Sequence, residues 1–333
     1  MVGNANRFIH GIRVVVRNHT GESIGIGEIL VDFVPLGAPG SYARHLGGAP
    51  ANVAIALARN GLTVGFYGRV GQDEFGDFLV QGLERENVRL LCAGREQSAI
   101  TTMVFVTLGI NGERSFTFAR KPGADMFLRP DMIRDSDLAE CTFLHAGSCS
   151  LSEEPARSAT LFAMKQAHVM GKIVSFDVNY REALWPGGHI EAMHAIREVL
   201  PYVDLIKFSE EEADMFRRAN DLTYLHEKYN ITAIVVTLGE KGAYCLLPNC
   251  TMHAPTTPQE ALDTTGAGDA FWGNVLASLL LERVNRPDQI AKAAMERALR
   301  RGNLAGGISV RSKGAISGMP TRQQVERLLG IQE

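Results

Sequence analysis

Short apolar runs alternate with helical patterns along most of the chain. Ile24-Gly25-Ile26-Gly27, followed by Ile29-Leu30-Val31, reads as one buried strand with close backbone approach at its glycines. Gly47-Gly48 opens a helix predicted over 49–60, apolar at Val53, Ala54, Leu57 and Ala58 and closed by Gly61. A short strand over 64–68 and a helix over about 73–87 begin a βαβ series. Later strands are predicted at 143–146, 173–176, 205–208 and 234–237, separated by helices near 154–170, 189–199, 210–218 and 221–229. Strands spaced in this way imply a parallel sheet covered on both faces.

The pattern changes between Thr101 and Arg120. Two β-rich runs, 102–108 and 115–119, flank Asn111-Gly112, a strong hairpin signal with no helix returning to the sheet. This segment is expected to form part of a small β lid, spanning about 32–46 and 98–122, on one domain running from 24 to 330. Residues 1–23, with an isolated Val14-Val15-Val16 run, are expected to be a poorly ordered leader or extension.

Composition narrows the class. The 45% apolar content of 333 residues supports one large core. The balance of 34 basic and 37 acidic residues, with no long run of either sign, argues against a nucleic-acid surface. No apolar stretch approaches the roughly 20 residues of a membrane span, and the N-terminus lacks a secretory h-region, so cytoplasmic residence is expected. The five cysteines form no CxxC pair; zinc is not indicated, and a Cys245–Cys250 disulfide is not expected in a reducing compartment.

Candidate chemistry concentrates in Asp263-Thr264-Thr265-Gly266-Ala267-Gly268-Asp269, which precedes an apolar helical run from Ala270 to Leu281. Glycines at a helix start leave backbone N–H groups open to an anion, and the helix dipole stabilises charge on a transferring phosphoryl group. Asp269, in the first turn, can take the proton of an attacking hydroxyl. A capped helix after a glycine-rich turn would explain the same run. Gly25-Ile26-Gly27 lacks the third glycine of a dinucleotide fingerprint, position 30 being Leu, and no GxxxxGK[ST] run occurs.

Together with Gly47-Gly48-Ala49-Pro50-Ala51-Asn52, this run resembles the paired signatures of the ribokinase-like (PfkB) carbohydrate kinases, over about residues 24 to 325. Gly27-Glu28 with Asp32, Gly123-Ala124-Asp125, Asp177-Val178-Asn179-Tyr180-Arg181 and Thr237-Leu238-Gly239-Glu240-Lys241-Gly242 follow in the same order. The resemblance implies a three-layer α/β sandwich with a central, mostly parallel sheet and a small β-sheet lid. It also implies ATP-dependent phosphorylation of a sugar hydroxyl, with Asp269 as base and Gly266, Ala267 and Gly268 as the anion site.

The same resemblance makes Asp32, Gly48 and Asn52 sugar ligands, with Phe118 covering the sugar and Arg181 pairing with the γ-phosphate or the substrate. Thr237, Gly239, Gly242 and Asn303 would contact the nucleotide. Ser209 stands where the family has Asn, and Glu212 would orient Mg2+-bound water. Asp263 and Thr265 match positions that bind a monovalent cation in many members; whether K+ is needed here stays open.

Asp32-Phe33-Val34-Pro35, Ser115-Phe116-Thr117-Phe118 and Gly123-Ala124-Asp125 resemble the fructokinases more than the ribokinases or adenosine kinases, with a 2-keto-3-deoxygluconate kinase or riboside kinase as alternatives. A sugar-binding regulator that has lost catalysis is the reading of a different class. Lid strands with one uncovered face suggest a homodimer.

Overall fold

A computed structural model describes residues 22–331 apart from 39, 93, 109–113, 219–220 and 258. The leader and the Asn111-Gly112 turn therefore lie outside the described residues. The strands are β1 Ser23–Ile26, β2 Leu30–Pro35, β3 Tyr42–Gly47, β4 Val64–Tyr67, β5 Val88–Leu90, β6 Met103–Leu108, β7 Arg114–Ala119, β8 Phe143–Gly147, β9 Ile173–Asp177, β10 Leu205–Ser209, β11 Ala233–Thr237, β12 Ala243–Leu247 and β13 Cys250–Ala254. Nine of them form one sheet in the order β13-β12-β11-β10-β9-β8-β1-β4-β5. Its pairings are parallel except for β11–β12 and β12–β13.

The helices are α1 Ala49–Arg59, α2 Glu74–Arg85, α3 Asp135–Glu140, α4 Ala156–Val169, α5 Gly188–Val199, α6 Glu210–Phe216, α7 Tyr224–Tyr229, α8 Ala267–Leu281, α9 Lys292–Ser309, α10 Ala315–Gly318 and α11 Arg322–Leu329. Successive strand side chains point to opposite faces, and here both faces are apolar. Phe143, Ile173, Leu205 and Val235 pack with α1, α8 and α9, while their neighbours Leu144, Val174, Ile206 and Ile234 pack with α4 and α5. The continuous apolar runs of the sequence arise from this double coverage.

The predicted single strand over 24–31 is two strands in different sheets. Gly27 adopts φ +145°, and a Cβ there would stand 2.8 Å from Pro50 Cγ. At this point the chain leaves the main sheet and enters a second one, ordered β3-β2-β6-β7. Within it β6 and β7 pair antiparallel, with Val104 opposite Phe118. The predicted helix over 221–229 begins only at Tyr224. Cys245 and Cys250 are free thiols; the β12–β13 register sets Cys245 opposite Met252 and Cys250 opposite Leu247, so the two do not face each other.

Candidate active site

Two cavities open beside the first turn of α8, near the carboxyl ends of β9, β10 and β11, where ligand sites of open α/β sheets form. One, of about 370 Å³, is enclosed by α1, α8 and the underside of the small sheet. It collects Asp32, Gly48, Asn52, Phe118, Arg181, Thr265, Gly266, Gly268 and Asp269 from the predicted set. The other, of about 420 Å³, collects Thr237, Gly239, Gly242, Ala267 and Asn303. Thr264 and Gly268 line both, so the start of α8 is the partition between them.

Local sequence explains how these groups meet. Gly48 adopts φ +103°, and a Cβ there would stand 2.4 Å from the Glu28 carbonyl oxygen. Gly47 has no room for a side chain either, because Asp32 Oδ2 would lie 2.1 Å from its Cβ. The paired glycines thus let β2 and the start of α1 close on one another. Gly266, at φ +75°, makes the sharp turn into α8 with Ala315 Cβ only 2.4 Å from where its own Cβ would be. The N–H groups of Gly268 and Asp269 then point out of the helix N-terminus, where the dipole is positive.

Asn52 Nδ2 donates to Asp269 Oδ2 at 2.8 Å, joining α1 to α8. Asn52 Oδ1 is buried without a protein partner. Burial raises the Asp269 carboxyl to about 6; the Asn52 hydrogen bond opposes this, Asp177 adds to it, and Lys207 and Arg181 pull it down. Asp32 is pushed to about 7, first by burial and then by repulsion from Asp269, with Arg181 opposing. The Arg181 guanidinium lies 6.0 Å from the Phe116 ring centroid and donates to its neighbour's carbonyl, Tyr180 O, at 2.9 Å.

In the second cavity, Gly242 at φ +94° lies so close to the Ala254 carbonyl that a Cβ would come within 2.2 Å. Asn303 donates Nδ2 to Ala254 O at 2.8 Å and Pro255 O at 3.3 Å, so its amide pins the β13 exit and shapes the cavity wall.

Ser209 and Glu212 stand in neither cavity wall. They form the capping box of α6: Ser209 Oγ accepts from Glu212 N at 3.1 Å, and Glu212 Oε2 accepts from Ser209 N at 2.8 Å. Glu212 Oε1 also accepts from Tyr180 N at 2.6 Å. The Ser209 hydroxyl donates to Glu211 at 2.9 Å. Asp263 likewise holds backbone, accepting from Thr265 N at 2.7 Å and Gly314 N at 2.9 Å, and so closes the loop before α8. Among the described residues no cluster of three or more His, Cys, Asp or Glu forms a ready metal site.

Glu28 and Lys207 are among the cavity residues that escaped the sequence reading as site residues. Glu28 accepts from Ala49 N at 3.0 Å, its other oxygen is buried without a protein partner, and burial raises its carboxyl to about 7. Lys207 lines the same cavity from β10, its ammonium 2.9 and 2.8 Å from the two Asp177 oxygens. A lysine between Ile206 and Phe208 in a central strand is rarely buried unless paired, and that anomaly was visible in the sequence.

Comparison with known proteins agrees with this geometry. Residues 23–322 match the pfkB family of carbohydrate kinases. A probable fructokinase-4 of Arabidopsis thaliana is 38% identical over 320 residues, covering 92% of this chain and 96% of that one. A fructokinase of Klebsiella pneumoniae is 36% identical, covering 91% and 98%. Among solved structures, a Xylella fastidiosa fructokinase with bound ATP aligns with a TM-score of 0.86 at 30% identity, covering 93% of this chain and 98% of that one. A Vibrio cholerae O395 fructokinase holding fructose, ADP and calcium aligns at 0.82 and 34%, covering 94% and 100%. With its glycine-lined helix start dividing two cavities, and its sequence matched from one end of the fold to the other, the chain belongs to the pfkB family of carbohydrate kinases.

Proposed function

We propose that this kinase transfers the γ-phosphoryl group of ATP to fructose, giving fructose 6-phosphate. The observation that carries the reading is the Asn52–Asp269 pair at the α8 start, a buried carboxylate facing one cavity beside an anion site shared with the other. The fructokinase relatives and the fructose- and ADP-bound neighbour support the choice of substrates.

In this reading Asp32 and Asn52 bind sugar hydroxyls, Gly48 admits the ring to the backbone, and Phe118 with the small sheet acts as a lid that excludes water. Thr237, Gly239, Gly242 and Asn303 wall the nucleotide. Asp269 accepts the proton as the hydroxyl attacks in line, and the Gly266-Ala267-Gly268 turn stabilises charge on the phosphoryl oxygens.

A divalent ion bound with the nucleotide would supply positive charge against its phosphates. Both Glu212 oxygens are engaged by the backbone N–H groups of Tyr180 and Ser209, and both Asp177 oxygens by Lys207, so neither carboxylate is free for direct ligation; Mg2+ keeps most of its waters and needs few direct ligands. Glu212 would hold it through water. Asp263 and Thr265 would border a K+ site through the loop they close.

A homodimer through the small sheet, whose Tyr42 and adjoining Leu36 are exposed, and residence in the cytoplasm complete the proposal. Among the described residues no helix is long and apolar enough to cross a membrane.

The test is Asp269→Asn, assayed with fructose, ribose, ketodeoxygluconate and nucleosides. Turnover on fructose should fall about 10²- to 10⁴-fold while sugar and ATP still bind. Near wild-type turnover in the variant, or a wild-type preference for a different substrate, would refute the corresponding half of the proposal.

A further inference from the structure

Lys207 is a charged group in the middle of a buried sheet, with its residue 5% exposed. Its partner Asp177 is 1% exposed. A buried ion pair of this kind is often no more stable than a well-packed apolar pair of the same volume, so support of the fold is a weak account of it. Its location is more informative. Lys207 shares the sugar cavity with Gly268, and a methyl group at Gly268 would stand 3.4 Å from Lys207 Nζ. The ammonium therefore lies against the partition between the two cavities, on the side where the first N–H groups of α8 emerge.

An ammonium has three donors. Asp177 takes two of them, and among the described residues no further acceptor engages the third.

Resting on the kinase reading above, we propose that Lys207 is a catalytic residue, a fixed cation that donates to an oxygen of the phosphoryl group in transit, with Asp177 as its positioning residue. In the transfer the bond from the sugar oxygen to the γ-phosphorus forms. The bond to the β,γ-bridging oxygen breaks, and ADP leaves with its electron pair. The sugar proton goes to Asp269, and Lys207 keeps its proton throughout. The charges of Asp177, Glu212 and Asp269 around the ammonium, which oppose the effect of burial, hold it in that form.

The experiment compares Lys207→Met, Asp177→Asn and the double variant by kcat, by KM for fructose and ATP, and by inhibition with ADP and aluminium fluoride in the presence of fructose. Lys207→Met should lower kcat about 10²- to 10³-fold, the range for loss of one preorganised donor. It should weaken the aluminium fluoride complex by a similar factor and leave both KM values nearly unchanged. The double variant removes both charges of the Lys207–Asp177 pair, so it should fold and remain as slow as Lys207→Met even if that single variant folds poorly. Asp177→Asn should lose less.

Recovery of turnover in the double variant would show Lys207 to be only a counter-ion for Asp177 and overturn the proposal. A change confined to fructose KM would make it a sugar ligand, and an Asp177→Asn loss equal to that of the double variant would move the role to Asp177; either overturns it. All of these outcomes leave the Asp269 test untouched, so the two readings fail separately.

Discussion

Replacing Asn52 with leucine should move the acid limb of the pH–rate profile upward. The side chain donates to Asp269 Oδ2 at 2.8 Å, and burial raises the Asp269 carboxyl to about 6 even with that donor in place. Leucine is similar in size, cannot donate and keeps water out, so the charged form of Asp269 loses support that its neutral form never had. A hydrogen bond to a charged group contributes about 1.5–3 kcal/mol, and about 1.4 kcal/mol corresponds to one pKa unit, giving an upward shift of roughly 1–2 units.

The base works only when deprotonated, so activity is lost as pH falls through its pKa. In kcat/KM for fructose, which reports the free enzyme, the wild-type midpoint should lie at about 6 and that of Asn52→Leu at roughly 7 to 8. Asp32→Asn is the internal control. Asp32 stays protonated up to about 7, so it is neutral while Asp269 titrates, and removing its charge should leave the midpoint in place despite a higher fructose KM. A midpoint in Asn52→Leu that stays put or moves to lower pH would refute the assignment of that limb to Asp269.

Glu28→Gln should alter how stability depends on pH. The carboxyl is raised from 4.5 to about 7, so between those values the folded protein keeps a proton that the unfolded chain releases, and wild-type stability falls as pH rises through the window. The contribution is about 3 kcal/mol, and urea midpoints should show the variant gaining on the wild type across that range; a constant difference would refute it. Gly266→Ala forces an L-residue to φ +75° against Ala315, which should cost about 1–3 kcal/mol and displace the α8 start. Thermal denaturation and kcat should therefore fall together, and an alanine variant with unchanged melting and turnover would show that the turn tolerates a side chain.

Much of the architecture was legible because period and punctuation agree. The main-sheet strands read as apolar runs since both faces of the sheet are covered, and the glycines before α1 and α8 marked two turns that admit no side chain. The break at Gly27 was not legible, because apolar residues on either side look like one strand until Pro50, far along the chain, blocks the way.

The resemblance that gave Ser209 and Glu212 nucleotide and metal roles left their local use unread. Ser-x-x-Glu before a helix is also the signature of a capping box, and that local use is what the hydrogen bonds display. Lys207 was underread, since nothing in its own strand announces the aspartate 30 residues earlier that keeps it charged. Where a site is made by chain segments that meet only after folding, as Asn52 and Asp269 do across 217 positions, the sequence names the candidates and the fold decides their partners.

The partition formed by Thr264 and Gly268 has a kinetic consequence. Among the described residues the two cavity linings share Thr264 and Gly268, so the proposed transfer crosses the helix start. In that proposed transfer phosphorus passes directly from one occupant to the other while both are present. Such passage demands a ternary complex, gives intersecting rather than parallel double-reciprocal plots, leaves no phosphorylated enzyme to isolate, and inverts the configuration of a chiral thiophosphate.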